Sequence, residues 1–281
     1  MQTLEKLSHR FWYQTPVSET DRPILGLVIG EKRSLMIDAG NSEAHANEFL
    51  KELRNHGMSI PSIVVLTHWH WDHIFGLSTL DMLSVASTQT KAEIEKLVSF
   101  EWTDAALEER VEAGVEIEFC ATAIKHEFKN ERNIHVKLPE LTFEESMEID
   151  LGGVTCLLQH VGGDHASDSI IVYIKEEKIL FLGDAIYANL YSSKWNYTIE
   201  RTLELLDTID RIDAEIYILS HWKPLTKVEY QKEAMLLRRV AALTKQYQGN
   251  YGEIKQAYHL QVNRELTADE LETIEYFVNG Y

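Results

Sequence analysis

The chain has 281 residues, 44% of them apolar, which is enough for a real hydrophobic core and for one large domain or two small ones. Asp and Glu outnumber Lys and Arg by 45 to 27; a net charge of −18 with no basic cluster repels phosphate backbones and excludes nucleic acid as an expected partner. No apolar run approaches the roughly 20 residues that span a bilayer, and residues 1–6 lack the basic start and apolar run of an export signal, so a cytoplasmic protein with no membrane contact is expected.

Predicted strands alternate with helices through the first 220 residues without a low-complexity linker, which indicates an α/β domain. Residues 25–30 and 34–37 read as two strands joined at Glu31-Lys32-Arg33. A helix is predicted over 43–55, with Ser42 as its N-cap, Phe49, Leu50 and Leu53 as its apolar stripe and Gly57 as its stop. A buried strand over 63–66 runs straight into Thr67-His68-Trp69-His70-Trp71-Asp72-His73. Residues 89–130 are charged and mostly helical, and read as an inserted cap. Strands resume near Ile134 and continue over 147–151, 154–158, 169–174 and 178–182; an amphipathic helix over 198–212 precedes a strand over 215–219. The domain is expected to span 1–225, followed by a helical extension over 226–281 that packs on it or on the second subunit of a homodimer; Thr226 with Glu229 and Thr267 with Glu270 match the capping-box pattern. Cys120 and Cys156 are expected as free thiols.

The densest chemistry lies in residues 68–73. His68 and His70 are two apart in a segment leaving a strand, so an extended backbone points both side chains to one side, where they can share a metal ion. Asp72 and His73 then offer an oxygen and a nitrogen to a second ion. Imidazole with carboxylate suits zinc first, with manganese, iron and cobalt as alternatives.

This segment resembles the HxHxDH signature of the metallo-β-lactamase superfamily, and the resemblance extends over about residues 24–224. It implies a four-layer αββα sandwich with a helical insertion and a helical C-terminal region. Asp38, closing the strand Leu35-Met36-Ile37, matches the family's acid that holds the metal loop by hydrogen bonds. His165, in Gly162-Gly163-Asp164-His165, matches the next ligand better than His160, which falls within a strand pattern. Asp184, after Ile179-Leu180-Phe181-Leu182-Gly183, matches the bridging acid, and His221, after Ile216-Tyr217-Ile218-Leu219-Ser220, the last ligand. Ala166 and Ser220 depart from the family's usual Thr and Gly but leave the ligand atoms in place.

By that assignment His68, His70 and His165 hold one ion, Asp72, His73 and His221 the other, and Asp184 bridges them. Two bound divalent ions lower the pKa of water to about 7 and supply a bridging hydroxide as nucleophile. Asp72 is the expected catalytic residue, orienting the nucleophile and passing a proton to the leaving group. Trp69, Trp71, Tyr187 and Trp195 are candidate pocket walls for a small-molecule substrate, joined by Tyr191; Lys194 and Lys223 are nearby cations, and Phe100 with Trp102 a candidate lid. Hydrolysis of an ester, lactone or thioester leads. The alternatives are a small-molecule phosphodiesterase, a β-lactamase-like activity and an iron-dependent redox enzyme of the same superfamily; a non-catalytic binding protein is disfavoured because all seven ligands are present.

Overall fold

The computed structural model describes residues 2–129 and 132–281, and it places two mixed sheets face to face with helices on both outer sides. The first sheet holds β1 (Leu4–Lys6), β2 (Phe11–Gln14), β3 (Leu25–Ile29), β4 (Ser34–Ile37), β5 (Ile63–Val65), β6 (Leu83–Ser87) and β7 (Leu141–Phe143) in that spatial order. The second runs from β8 (Ser146–Asp150) through β9 (Thr155–His160), β10 (Ile170–Ile174), β11 (Ile179–Gly183) and β12 (Ile216–Leu219) to β13 (Leu225–Thr226).

Period-two alternation builds three apolar layers from these strands. Leu35 and Ile37 of β4, with Ile179 and Phe181 of β11, point into the space between the sheets, while Met36 and the pair Leu180 and Leu182 point outward under helices. Strand β11 is therefore buried on both faces, which is why it reads as an unbroken apolar run; each such side chain contributes about 1.5–3 kcal/mol by leaving water. Under the first sheet lie α1 (Glu43–Asn55), the short α2 (Trp71–Ile74), α3 (Thr88–Leu97), α4 (Asp104–Glu112) and α5 (Glu118–Phe128). Against the second pack α6 (Ile199–Ile209), α7 (Lys227–Gln246), α8 (Tyr251–Val262) and α9 (Ala268–Asn279). Ser42 caps α1 by accepting the His45 N–H, and the capping boxes at Thr226 and Thr267 are both formed.

Several predicted elements differ from those observed. Around Ile134 there is no strand: residues 132–139 have no regular structure, and the pairing partner of β6 is β7, further on. Strands β1, β2 and β6 have no counterpart among the predicted elements. The insertion consists of α3, α4 and α5; its predicted end, Asn130, lies outside the described residues. Both cysteines are free and buried. Among the described residues no helix is long and apolar enough to cross a membrane.

Parallel pairing is what assembles the site. Strand β4 pairs in parallel with β5, and β11 with β12, so their C-terminal ends emerge at one edge of the sandwich. Asp38 follows β4, Thr67 and His68 follow β5, Asp184 follows β11 and His221 follows β12.

Candidate metal centre

Two groups of potential ligands stand at that edge. His68, His70 and His165 form one; Asp72, His73, Asp184 and His221 form the other, and within each the donor atoms lie within 4.8 Å of one another. The separation within residues 68–73 has a local cause. His70 keeps an extended backbone (φ −60°, ψ 144°) and caps α2, so Asp72 and His73 sit in the helix's first turn and face the second group. Asp184 stands between the two: its Oδ2 is 3.3 Å from Nε2 of both His73 and His221, 3.5 Å from Nε2 of His165 and 4.0 Å from Nε2 of His68. Gly183 places it there. Its φ of +57° is left-handed, and a Cβ would stand 3.1 Å from the Thr67 side chain, so only glycine meets both demands without strain.

Three of the imidazoles are oriented from behind. Asp38, fully buried, accepts the Thr67 N–H at 2.7 Å and the Thr67 hydroxyl at 2.9 Å, and its other contact, at 2.8 Å, is Nδ1 of His73. The His165 Nδ1 donates to the Ala188 carbonyl at 3.0 Å. Next to it Asp164 accepts from the Thr198 N–H and from the hydroxyls of Thr198 and Thr202, which ties the His165 loop to the N-terminus of α6. Asp21 was not found from the sequence: it lies in a left-handed turn residue (φ 54°) with Oδ1 3.4 Å from Nδ1 of His221. Nothing in its local sequence marks it. His160 instead bonds the Ser167 carbonyl at 2.9 Å and belongs to neither group.

The front of the site is left unsatisfied. Nε2 of His68, His70 and His165, with Asp184 Oδ1, are buried without a hydrogen-bond partner. An unpaired buried polar group costs about 1–3 kcal/mol, so this convergence of nitrogen and carboxylate donors fits divalent cations and is poorly explained by packing alone. Charge divides the groups. Burial holds His68, His70 and His165 below the ordinary histidine pKa, so they present neutral, lone-pair-bearing nitrogens. His73 and His221 also meet a burial penalty, but it is outweighed: Asp72, Asp38 and Asp184 push His73 up, and Asp184 with Asp72 and Asp21 pushes His221 up. Asp72 and Asp184 are correspondingly held down against burial by these two histidines.

The family model described as Metallo-beta-lactamase superfamily matches residues 25–221, well over half of the chain and all seven ligand positions. The chain belongs to the metallo-β-lactamase superfamily. A relative from Bos taurus, described as acyl-coenzyme A thioesterase MBLAC2, is 27% identical over 234 residues, 74% of this chain and 79% of its own length. A metallo-beta-lactamase type 2 from Bacteroides fragilis is 22% identical over 189 residues, 67% of this chain and 62% of its own length. The solved structure of a metallo-beta-lactamase from Pontibacter korlensis superposes with a TM-score of 0.59 at 17% identity, covering 84% of this chain and 98% of that one. The αββα sandwich expected from the motifs is thus the fold of the chain, and like its thioesterase and metallo-β-lactamase relatives the chain is a hydrolase.

In this metallo-β-lactamase fold a pocket of about 310 Å³ opens above the two groups. Tyr187 and Trp195 line it; Tyr187 stands between the groups, its ring 6.0 Å from that of His165 and 6.4 Å from that of His221. Trp71 does not: as the first residue of α2 its ring turns into the core against Phe75, 2% exposed. Trp69 meets the His70 ring edge to face and the Tyr191 ring at a tilt, and stays outside the lining. Phe100 and Trp102 form no lid, because both rings pack on Arg110 and Trp102 is buried against Phe75. The insertion contributes a different wall, Phe119 and Cys120 of α5, and is tied to the pocket by the Tyr191 hydroxyl donating to Glu116 at 3.0 Å. Glu272 and Tyr276 reach the pocket from α9, far away in sequence. Lys194 and Lys223 are absent from its lining. A wider groove of about 620 Å³ at the α6–α7 face contains neither ligand group, so the chemistry assigns function to the smaller pocket.

Proposed function

We propose that this protein is a dinuclear metal-dependent hydrolase of a small acyl compound, a thioester first and an ester or lactone next. The observation that carries the reading is the position of Asp184 Oδ2 against donors of both ligand groups at the floor of a pocket walled by Tyr187, Tyr191 and Trp195. His68, His70 and His165 would hold one ion, Asp72, His73 and His221 the other, and Asp184 would serve both. Zinc fits the donor set best. Two such ions supply Lewis acidity and a nucleophilic water near neutral pH.

The remaining work falls to side chains of this chain. Asp38 fixes the His73 ring and the Thr67 backbone so that the first ligand loop does not turn. Asp72 Oδ2, 3.0 Å from His73 and 3.1 Å from His221, faces the pocket as an ionised carboxylate that can orient water and carry a proton to the departing sulfur or oxygen. The aromatic walls exclude water from the acyl group and present apolar area to it. The thioester preference is supported by the thioesterase relative, which matches about three quarters of the chain.

Metal content of the purified protein and turnover of thioester, lactone, β-lactam and phosphodiester substrates, before and after chelation, test the proposal. Near two ions per chain with chelator-sensitive thioester cleavage is the expected result. One iron per chain with oxygen uptake, or hydrolysis confined to phosphodiesters, would overturn it. The Asp72 role is tested separately: an Asp72→Asn protein that kept both ions and full turnover would remove it.

A further inference from the structure

Apart from its ligand residues, the pocket above the ligand groups is lined by charge of one sign only. Outside the ligands themselves its charged lining residues are Asp21 and Glu272, and among the described residues no Lys or Arg lines it. Of the cations nearest in sequence, Arg22 lies 2.8 Å from Glu48 and 2.7 Å from Glu127, Lys223 lies 2.7 Å from Glu229, and Lys194, next to Trp195, is exposed outside the lining. The floor is built to receive ligands, because Nε2 of His70 and of His165 and Oδ1 of Asp184 are buried without partners. Beside the ligand carboxylates of Asp72 and Asp184 the lining adds Asp21 and Glu272, and it offers an incoming anion no Lys or Arg partner. Glu272 is exposed at the mouth on α9, where an incoming group would meet it.

We propose that this pocket accepts acyl substrates that are neutral or cationic and rejects those whose acyl group ends in a carboxylate, with Glu272 as the specificity-determining residue. The proposal rests on the reading of the pocket as the substrate site, and it narrows the substrate class by electrostatic exclusion. Like charges brought together without a compensating cation are a means of discrimination that needs no new attractive contact. The apolar wall of Phe119, Trp195 and Tyr276 is compatible with either accepted class.

Three thioesters of N-acetylcysteamine with acyl chains of equal length, ending in methyl, carboxylate or trimethylammonium, test it on the zinc-loaded protein. The corresponding amides, which are not cleaved on the same timescale, are titrated calorimetrically in parallel. The carboxylate-ended compound is expected to show kcat/KM and affinity lower by roughly 10–100-fold than the other two, and Glu272→Lys is expected to raise the carboxylate-to-trimethylammonium ratio by at least about tenfold, with Glu272→Gln intermediate. Equal values for the three compounds, no binding of any amide, or a ratio unmoved by Glu272→Lys would overturn the proposal. Loss of thioester turnover across the panel with the charge order retained in amide binding would instead refute the acyl-hydrolase reading and leave the selection rule standing.

Discussion

The two halves of the metal centre use the same residue type and arrive at opposite ionisation. His68, His70 and His165 are buried, only His68 and His165 have the carboxylate of Asp184 in reach, at 3.5 Å or more, and burial keeps all three neutral. His73 and His221 each have carboxylate oxygens of both Asp72 and Asp184 within 3.0–3.3 Å, and these hold the proton on despite burial. A contact shorter by a few tenths of an ångström, doubled in number, decides between a vacant lone pair and a closed ion-pair cluster. The first half is ready for a cation, whereas the second must give up protons to receive one.

Breaking the shared element should have the largest effect. Asp184→Asn removes the carboxylate common to both halves, and turnover is expected to fall on the order of 10³-fold or more, with loss of at least one ion by elemental analysis. Retention of two ions and near-normal turnover would mean that the halves work independently.

The ionisation contrast itself predicts a pH dependence. His73 and His221 have folded-state pKa values above their ordinary range, so their ion pairs stabilise the metal-free protein fully below about pH 6.5, and that stability is lost as pH rises through the raised values. Binding of the second ion displaces these protons, so its affinity should rise with pH over the same window by roughly 10–100-fold per unit, while that of the first ion stays nearly flat. Calorimetry in buffers of different ionisation enthalpy counts the protons released in each step. Equal release from both halves would contradict the assignment.

Removing support from behind the ligands should cost less. Asp38→Asn leaves His73 without its carboxylate partner, and metal affinity of the second half is expected to drop roughly 10–100-fold, with little change in the first. Asp21→Asn acts on His221 across a longer contact of 3.4 Å and should cost about tenfold or less, again confined to the second half. Competition with a metal-binding dye measures both. The smallest effect is expected at the cap: Tyr191→Phe deletes a single hydrogen bond to Glu116 and should lower stability by about 0.5–1.5 kcal/mol in urea unfolding, without metal loss.

The sequence by itself determined the ligands' placement along the chain and the sandwich that carries them. Apolar runs that end in a polar residue mark buried strands, and in this fold the functional side chains stand at those strand ends, as with Asp38, His68, Asp184 and His221. The helix over Glu43–Asn55 was legible for the same kind of reason, since its cap, stripe and stop are all local. Elements whose stability comes from partners distant in sequence were not. Strand β1 is three residues, Leu-Glu-Lys, partly or fully exposed, and exists because β2 pairs with it; β7 lies beyond the irregular stretch that resembled a strand near Ile134.

Only the tertiary structure decided the pocket. One turn of helix after His70 sent Trp71 into the core, a change of direction that alternating aromatic and ligand residues do not reveal. Asp21 comes to His221 from a turn, and Glu272 and Tyr276 come to the pocket from a helix that packs on α7 and α8, with Ile274 and Phe277 buried. Ligand positions follow from strand ends, which burial pattern encodes locally; pocket walls follow from how separate layers dock, which depends on the summed packing of surfaces that no local pattern records.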